Sequence, residues 1–147
     1  MAKILIAYIS MTGNTENIAD IISDTLELHH HEVEMEEIEL IDASDMLQYD
    51  GILIGAYTYY DGELPSEAED FYEEILTVNL QHKKVGVFGS GDTDYTLFCE
   101  AVPIFEKRLV EAGASLVVEG LKVEFSPETD EDIQHCKDFA IAFSNKL

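Results

Sequence analysis

The residues best suited to chemistry lie in one short stretch, Ser10-Met11-Thr12-Gly13-Asn14-Thr15. It follows the apolar run at residues 4–9 and precedes a pattern that puts Ile18, Ile21, Ile22 and Leu26 on one helical face. A buried strand passing at once into a helix leaves unpaired backbone N–H groups at the positive end of the helix dipole. Such a nest binds an anion. Ser10, Thr12 and Thr15 add hydroxyl donors, and Gly13 lets the backbone approach a ligand closely. The same composition also makes an ordinary helix cap with no ligand, so the turn by itself leaves both readings open. It contains no Lys and no G-x-G-x-x-G pattern, which excludes a triphosphate P-loop and a dinucleotide fingerprint. A phosphate here would be held by neutral donors, an arrangement suited to a permanently bound monophosphate.

Two further polar stretches follow apolar runs. Tyr57-Thr58-Tyr59-Tyr60-Asp61-Gly62-Glu63-Leu64 carries three tyrosines that no core demands, and Ser90-Gly91-Asp92-Thr93-Asp94-Tyr95 adds a fourth. Aromatic rings beside an anion site suit a flat heterocycle stacked between Tyr59 and Tyr95. Other reactive residue types have plainer readings. Cys99 and Cys136 are far apart in the chain and read as reduced, buried thiols. His29, His30 and His31 fall where the first helix should end, and read as a solvated loop ahead of a metal site.

The elements that must position these stretches alternate along the chain. Residues 4–9, 51–56, 84–89 and 116–125 read as strands, and 31–36 reads as a half-buried edge strand because its glutamates alternate with Val33 and Met35. Helical stripes separate them. Pro65 opens a helix packed through Ala68, Phe71, Ile75 and Leu76, and residues 42–49 form a short helical turn or loop. Phe98, Ala101, Val102, Phe105 and Leu109 face inward on the next helix, with Pro103 in its first turn and Gly113 beyond its end. The last helix starts near Thr129 and packs through Ile133, Cys136, Ala140 and Phe143. Alternation of this kind gives a doubly wound parallel sheet with helices on both faces. Ligands of such sheets bind beyond the strand C-termini, where residues 10–15, 57–64 and 90–99 would meet.

The length of 147 residues fits one domain spanning 1–147. No apolar run approaches a membrane span, and the N-terminus lacks a signal-peptide design, so a cytoplasmic location is expected. The formal net charge of −23 argues against nucleic acid and anionic membranes and favours a partner with a basic face.

Taken together and in order, the three stretches resemble the flavodoxins, specifically the short-chain bacterial kind, because the fifth strand runs from Leu116 to Phe125 without a long insertion. The resemblance covers essentially the whole chain. It implies five strands in the order 2-1-3-4-5 and bound flavin mononucleotide, FMN. By that resemblance Ser10, Thr12, Asn14 and Thr15 hold the phosphate, with the backbone of Met11 and Gly13. Tyr59 is the inner stacking ring, where the family usually has Trp, and Tyr95 the outer one. Backbone groups around Asp92, Leu97 and Cys99 bond the pyrimidine edge, and Tyr57 and Thr58 lie where ribityl and ring contacts are made. Ser90, Gly91 and Phe98 belong to the same motif, as do Tyr60, Asp61 and Gly62. One departure stands out: the family commonly has Gly directly after the inner ring, and this chain has Tyr60. A side chain there biases the peptide flip at Tyr60-Asp61 and so the two potentials of the flavin.

The function implied is electron carriage at low potential, from a reductase of the ferredoxin/flavodoxin type to acceptors such as cytochrome monooxygenases, by a monomer with no catalytic residue and no metal. Carboxylates at Asp61, Glu63, Glu67, Asp92 and Asp94 oppose the last electron; one such charge ~8 Å away counts for ~2 kcal/mol at an effective dielectric of 20. Competing readings on the same fold are an FMN-dependent quinone or nitro reductase and an activator of ribonucleotide reductase. A phosphorylation receiver domain fits poorly, because Ala56-Tyr57-Thr58 stands where its acceptor Asp would be. A flavin-free interaction module is the remaining alternative.

Overall fold

The computed structural model describes residues 2–10, 13–58, 64–92 and 99–147. The fully apolar runs become the central strands β1 (Lys3–Tyr8), β3 (Gly51–Tyr57) and β4 (Lys84–Gly91). The alternating Glu/Val/Met segment becomes β2 (Glu32–Glu37). All pairings are parallel, in the order β2-β1-β3-β4 and then β5 (Ser115–Leu116), so β2 lies at an edge as its charge pattern requires. Around the sheet lie the helices α1 (Asn14–Leu28), α2 (Glu69–Glu74), α3 (Ala101–Glu111) and α4 (Asp130–Ser144).

Side chains alternate across β1, which divides the core into two layers. Ile4, Ile6 and Tyr8 join Ile18, Ile22, Leu26, Cys136, Ala140 and Phe143 of α1 and α4. Leu5, Ala7 and Ile9 join Phe71, Val102, Phe105 and Leu109 of α2 and α3. Sheet burial on both faces explains why β1, β3 and β4 read as unbroken apolar runs.

The fifth strand departs from expectation. It is split into β5 and β6 (Leu121–Glu124), each parallel to β4. From Val85 to Phe88 β4 advances three residues, while the partner segment from Leu116 to Leu121 advances five. The surplus is expelled as a bulge over Gly86, where an added Cβ would lie 2.6 Å from Val118 Cγ2. Phe125, expected to close the strand, instead has φ +56° and is half exposed.

Pro65 also differs. It has an extended backbone (φ −55°, ψ 140°) and precedes a 3₁₀ turn, Ser66–Ala68, so the regular α-helix begins only at Glu69. That helix tightens again into a 3₁₀ turn at Ile75–Thr77, which turns Ile75 inward and leaves Leu76 exposed. The segment at 42–49 is likewise a 3₁₀ turn, Ala43–Gln48. Pro103 falls in the first turn of α3, and Gly113 takes a left-handed φ of +98° just past its end, as their residue types predict.

The histidine run is not simply a solvated loop. His29 and His30 are exposed, and His30 takes φ +68°. His31 is half-buried: its Nδ1 accepts from the Ala2 N–H at 3.1 Å, and its Nε2 lies 2.7 Å from Ser144 Oγ. Because Nδ1 accepts a backbone proton, the ring is neutral with its own proton on Nε2, donated to Ser144. Burial lowers the pKa of His31, with the nearby N-terminal amine and then His29 and His30 adding to it.

Candidate functional site

Three neighbouring strands end on the same edge of the sheet. Ile9 continues β1 by donating its N–H to Gly55 O at 2.9 Å, Tyr57 lies in register with Ser90, and Gly91 with Glu124. The chain winds from β1 outward to β2 on one side and returns to β3 on the other, which makes the β1/β3 boundary the point where winding reverses. Ser10, Thr58 and Asp92 therefore leave the sheet side by side.

At the first of these ends, Gly13 is the N-cap of α1, with φ +88° and ψ −3°. That conformation is open to glycine and strained for residues with a Cβ. Having no side chain, Gly13 cannot cap the helix, so the early amides of α1 gain no cap bond from it. Helix α4 shows the contrast: Thr129 accepts the Asp132 N–H at 3.0 Å and completes its own cap. A Cβ built on Gly13 meets no atom within 4 Å among the described residues, so space lies open beside these amides. Ser10 Oγ is buried and has no hydrogen-bond partner among the described residues. A buried hydroxyl left unpaired costs free energy unless a ligand supplies the missing partner. The donor set therefore fits the phosphate of a mononucleotide, which the plain-cap reading does not explain.

Thr15, buried in the first turn of α1, forms a 2.7 Å hydroxyl–hydroxyl bond to Ser90, itself buried at the end of β4. Asn14 is half-buried at the first helical position. Tyr8, the last residue of β1, donates from its phenol to Glu16 Oε1 at 3.3 Å. Burial, followed by the charge of Glu16, raises that phenol to about 12, so it stays a donor.

At the second end, Tyr57 donates from its hydroxyl to Glu67 Oε2 at 3.4 Å. Thr58 Oγ1 accepts the Ala101 N–H at 3.0 Å, so this oxygen caps the start of α3 and its hydroxyl proton remains available. At the third end, Gly91 and Asp92 are half-buried. The chain returns at Cys99, which takes φ +51°, buries its side chain and places Sγ 3.7 Å from Gly89 O and 3.8 Å from Val123 O. Burial pushes the Cys99 thiol up to about 12, so it is a protonated packing group. Cys136 behaves alike, with its thiol pushed up to about 11 by burial.

The structure thus brings together Ser10, Gly13, Asn14, Thr15, Tyr57, Thr58, Ser90, Gly91, Asp92 and Cys99 on one edge. Met11, Thr12, Tyr59, Tyr60, Asp61, Gly62, Tyr95, Leu97 and Phe98 lie outside the described residues, and so does the peptide-flip expectation at Tyr60. Sequence reasoning missed the Tyr8–Glu16 bond and the turn after β6. There Phe125 donates its N–H to Gly91 O at 2.9 Å, and Asn17 Nδ2 donates to Ser126 Oγ at 2.8 Å. Tyr8 is the polar-tipped residue of the apolar run at 4–9, eight residues before Glu16, a signal that was available; nothing local marks the pairing of Asn17 with Ser126.

Comparison with known proteins finds relatives over nearly the whole chain. The family profile described as Flavodoxin matches residues 6–139. Probable flavodoxin 1 of Bacillus subtilis is 52% identical over 143 residues, covering 97% of this chain and 90% of that protein. The crystal structure of oxidised Flavodoxin 2 from Bacillus cereus is 60% identical, with a TM-score of 0.97 over 99% of this chain and 100% of the other. A short-chain flavodoxin associated with a bacterial microcompartment is 34% identical, with a TM-score of 0.95 and 99% of each chain covered.

Proposed function

The chain belongs to the flavodoxin family, whose members carry electrons and do not turn over a substrate, and from this we propose that it shuttles electrons from a flavoprotein reductase to acceptor enzymes through non-covalently bound FMN. The observation that carries the cofactor assignment is the buried Ser10 hydroxyl, which has no partner among the described residues, together with the space that the described residues leave open at Gly13. Ser10, Thr12, Asn14 and Thr15 hold the phosphate with the amides at the start of α1. Tyr59 and Tyr95 stack on the ring, Tyr57 and Thr58 face the ribityl side, and the backbone of Asp92, Leu97 and Cys99 meets the pyrimidine edge. Bound FMN supplies the one-electron chemistry; the chain binds it, orients it and surrounds it with charge. No Lys or Arg occurs between Lys3 and Lys83, so the turn at residues 10–15 offers the phosphate dianion dipoles and hydroxyls and no cation of its own.

The distribution of the few cations supports a docking role for this edge. Of eight Lys and Arg, Lys3, Lys83 and Lys84 stand at the N-terminal ends of β1 and β4 or just before them. Lys146 joins them, since Lys84 Nζ donates to its carbonyl. Half of the positive charge therefore lies at the end of the sheet opposite the site. A partner with a basic face is steered to the acidic rim, and salt weakens that capture. The chain works as one cytoplasmic domain, and no described helix is long and apolar enough to cross a membrane.

The test has two stages. Purified protein should be yellow, or turn so on addition of FMN, and should bind FMN more tightly than riboflavin. It should then relay electrons from a flavodoxin reductase to a haem acceptor at a rate that falls with salt. Colourless protein that ignores FMN overturns the cofactor assignment. A relay indifferent to salt overturns the docking role. Steady oxidation of NADPH by a quinone with this protein alone favours an oxidoreductase instead.

A further inference from the structure

The 2.7 Å contact between Thr15 Oγ1 and Ser90 Oγ joins two buried hydroxyls that are 75 residues apart in sequence. Each hydroxyl has a single proton, and either atom can be the donor. An anion at the start of α1 removes that ambiguity. A phosphate oxygen only accepts, so Thr15 serves it only by donating. With its proton committed outward, Thr15 accepts from Ser90. We propose that Ser90 is a positioning residue for the phosphate: it donates into Thr15 Oγ1, orients the Thr15 proton toward the anion and polarises it, without touching the anion itself. The inference rests on the cofactor assignment above and deepens it.

The fold supports this division of labour. Thr15 is the second residue of α1, in the turn whose amides Gly13 leaves without a side-chain cap. Ser90 lies one residue before the end of β4, in register with Tyr57, and its side chain is enclosed. The bond therefore also ties the first turn of α1 to the end of β4. A purely structural pair would do the tying without the orienting, and a double-mutant cycle separates the two.

The measured quantity is the ratio of riboflavin to FMN dissociation constants, which isolates the phosphate, with urea stability of the apoprotein measured alongside. Thr15→Val removes the donor to a charged group and should lower the ratio at least tenfold. Ser90→Ala should lower it by about threefold to tenfold, and the double variant no further than Thr15→Val alone. Thr15→Ser should keep most of the ratio. Each single variant leaves one buried hydroxyl unpaired, so the double variant should be more stable than Thr15→Val. If Ser90→Ala fails to fold, Ser90→Cys keeps the volume with a weaker donor and carries the same expectation. An unchanged ratio in Ser90→Ala or Ser90→Cys overturns the proposal, as do losses that multiply in the double variant. A wild-type ratio near one refutes the cofactor assignment instead.

Discussion

Replacing Gly13 tests whether the phosphate turn rests on backbone conformation or on space, because the structure separates the two. Its φ of +88° lies in the left-handed region, which costs a residue with a Cβ about 1–2 kcal/mol. No described atom lies within 4 Å of an added Cβ, so no clash adds to that cost. Ala is a poorer N-cap than Gly, which adds roughly 0.5 kcal/mol, while stiffening of the unfolded chain offsets about 0.4–1 kcal/mol. Gly13→Ala should therefore destabilise the apoprotein by about 0.5–2 kcal/mol, or roughly 1–8 °C in Tm for a domain of this size. Gly13→Asn should stay near wild type, since Asn tolerates the left-handed region and caps helices well. FMN should not distinguish the two variants. Both side chains enter the open space, so both variants should lose FMN affinity while riboflavin affinity holds. Thermal unfolding by circular dichroism and flavin titration are the assays. Equal Tm losses for Ala and Asn would show that φ is not the cause. Undiminished FMN binding by Gly13→Asn would show that the space is not the cradle.

Two further outcomes concern the scaffold. His31 is held neutral, so it binds fewer protons in the folded than in the unfolded chain; its stabilisation is complete above its ordinary pKa of about 6.5 and is lost as pH falls from there toward the lowered folded value. The stability difference between wild type and His31→Asn, from urea titrations between pH 7.5 and 5, should shrink with acid; a constant or growing difference refutes the neutral latch to Ala2 and Ser144. Gly55 accommodates the Phe88 ring, since a Cβ there would lie 2.3 Å from Cε2 and Cζ of that fully buried side chain. Gly55→Ala should cost about 1–3 kcal/mol by overpacking, and adding Phe88→Leu should recover part of it; strictly additive losses would mean that the ring does not take up the strain.

The sheet was legible because its determinants are local. An apolar run of strand length between helical stripes is read from neighbouring residues, and β1, β3 and β4 follow those runs closely. The split of the fifth strand was not legible, for a reason that lies elsewhere in the chain. Val117 and Val118 continue an apolar pattern, and only the missing side chain at Gly86 gives the bulge a place to pack. His31 looked like part of a polar loop because its fastening, Ser144, is 113 residues away.

The candidate site shows the same limit more sharply. Ser10 and Thr129 are both hydroxyl residues shortly before a helix, and sequence treats them alike. Thr129 takes the amide of Asp132 and is satisfied. Ser10 keeps a buried Oγ with no partner among the described residues, and the cap position of its helix has gone to Gly13. What separates a cap from a binding site is thus which donors remain unpaid by the fold, and that depends on partners supplied by other strands. Thr15 makes the point again: its hydroxyl has one proton, Ser90 has another, and only an outside acceptor fixes which way the bond between them runs. Composition could nominate the turn at residues 10–15; the arrangement of its satisfied and unsatisfied hydroxyls is what makes an anion its natural complement.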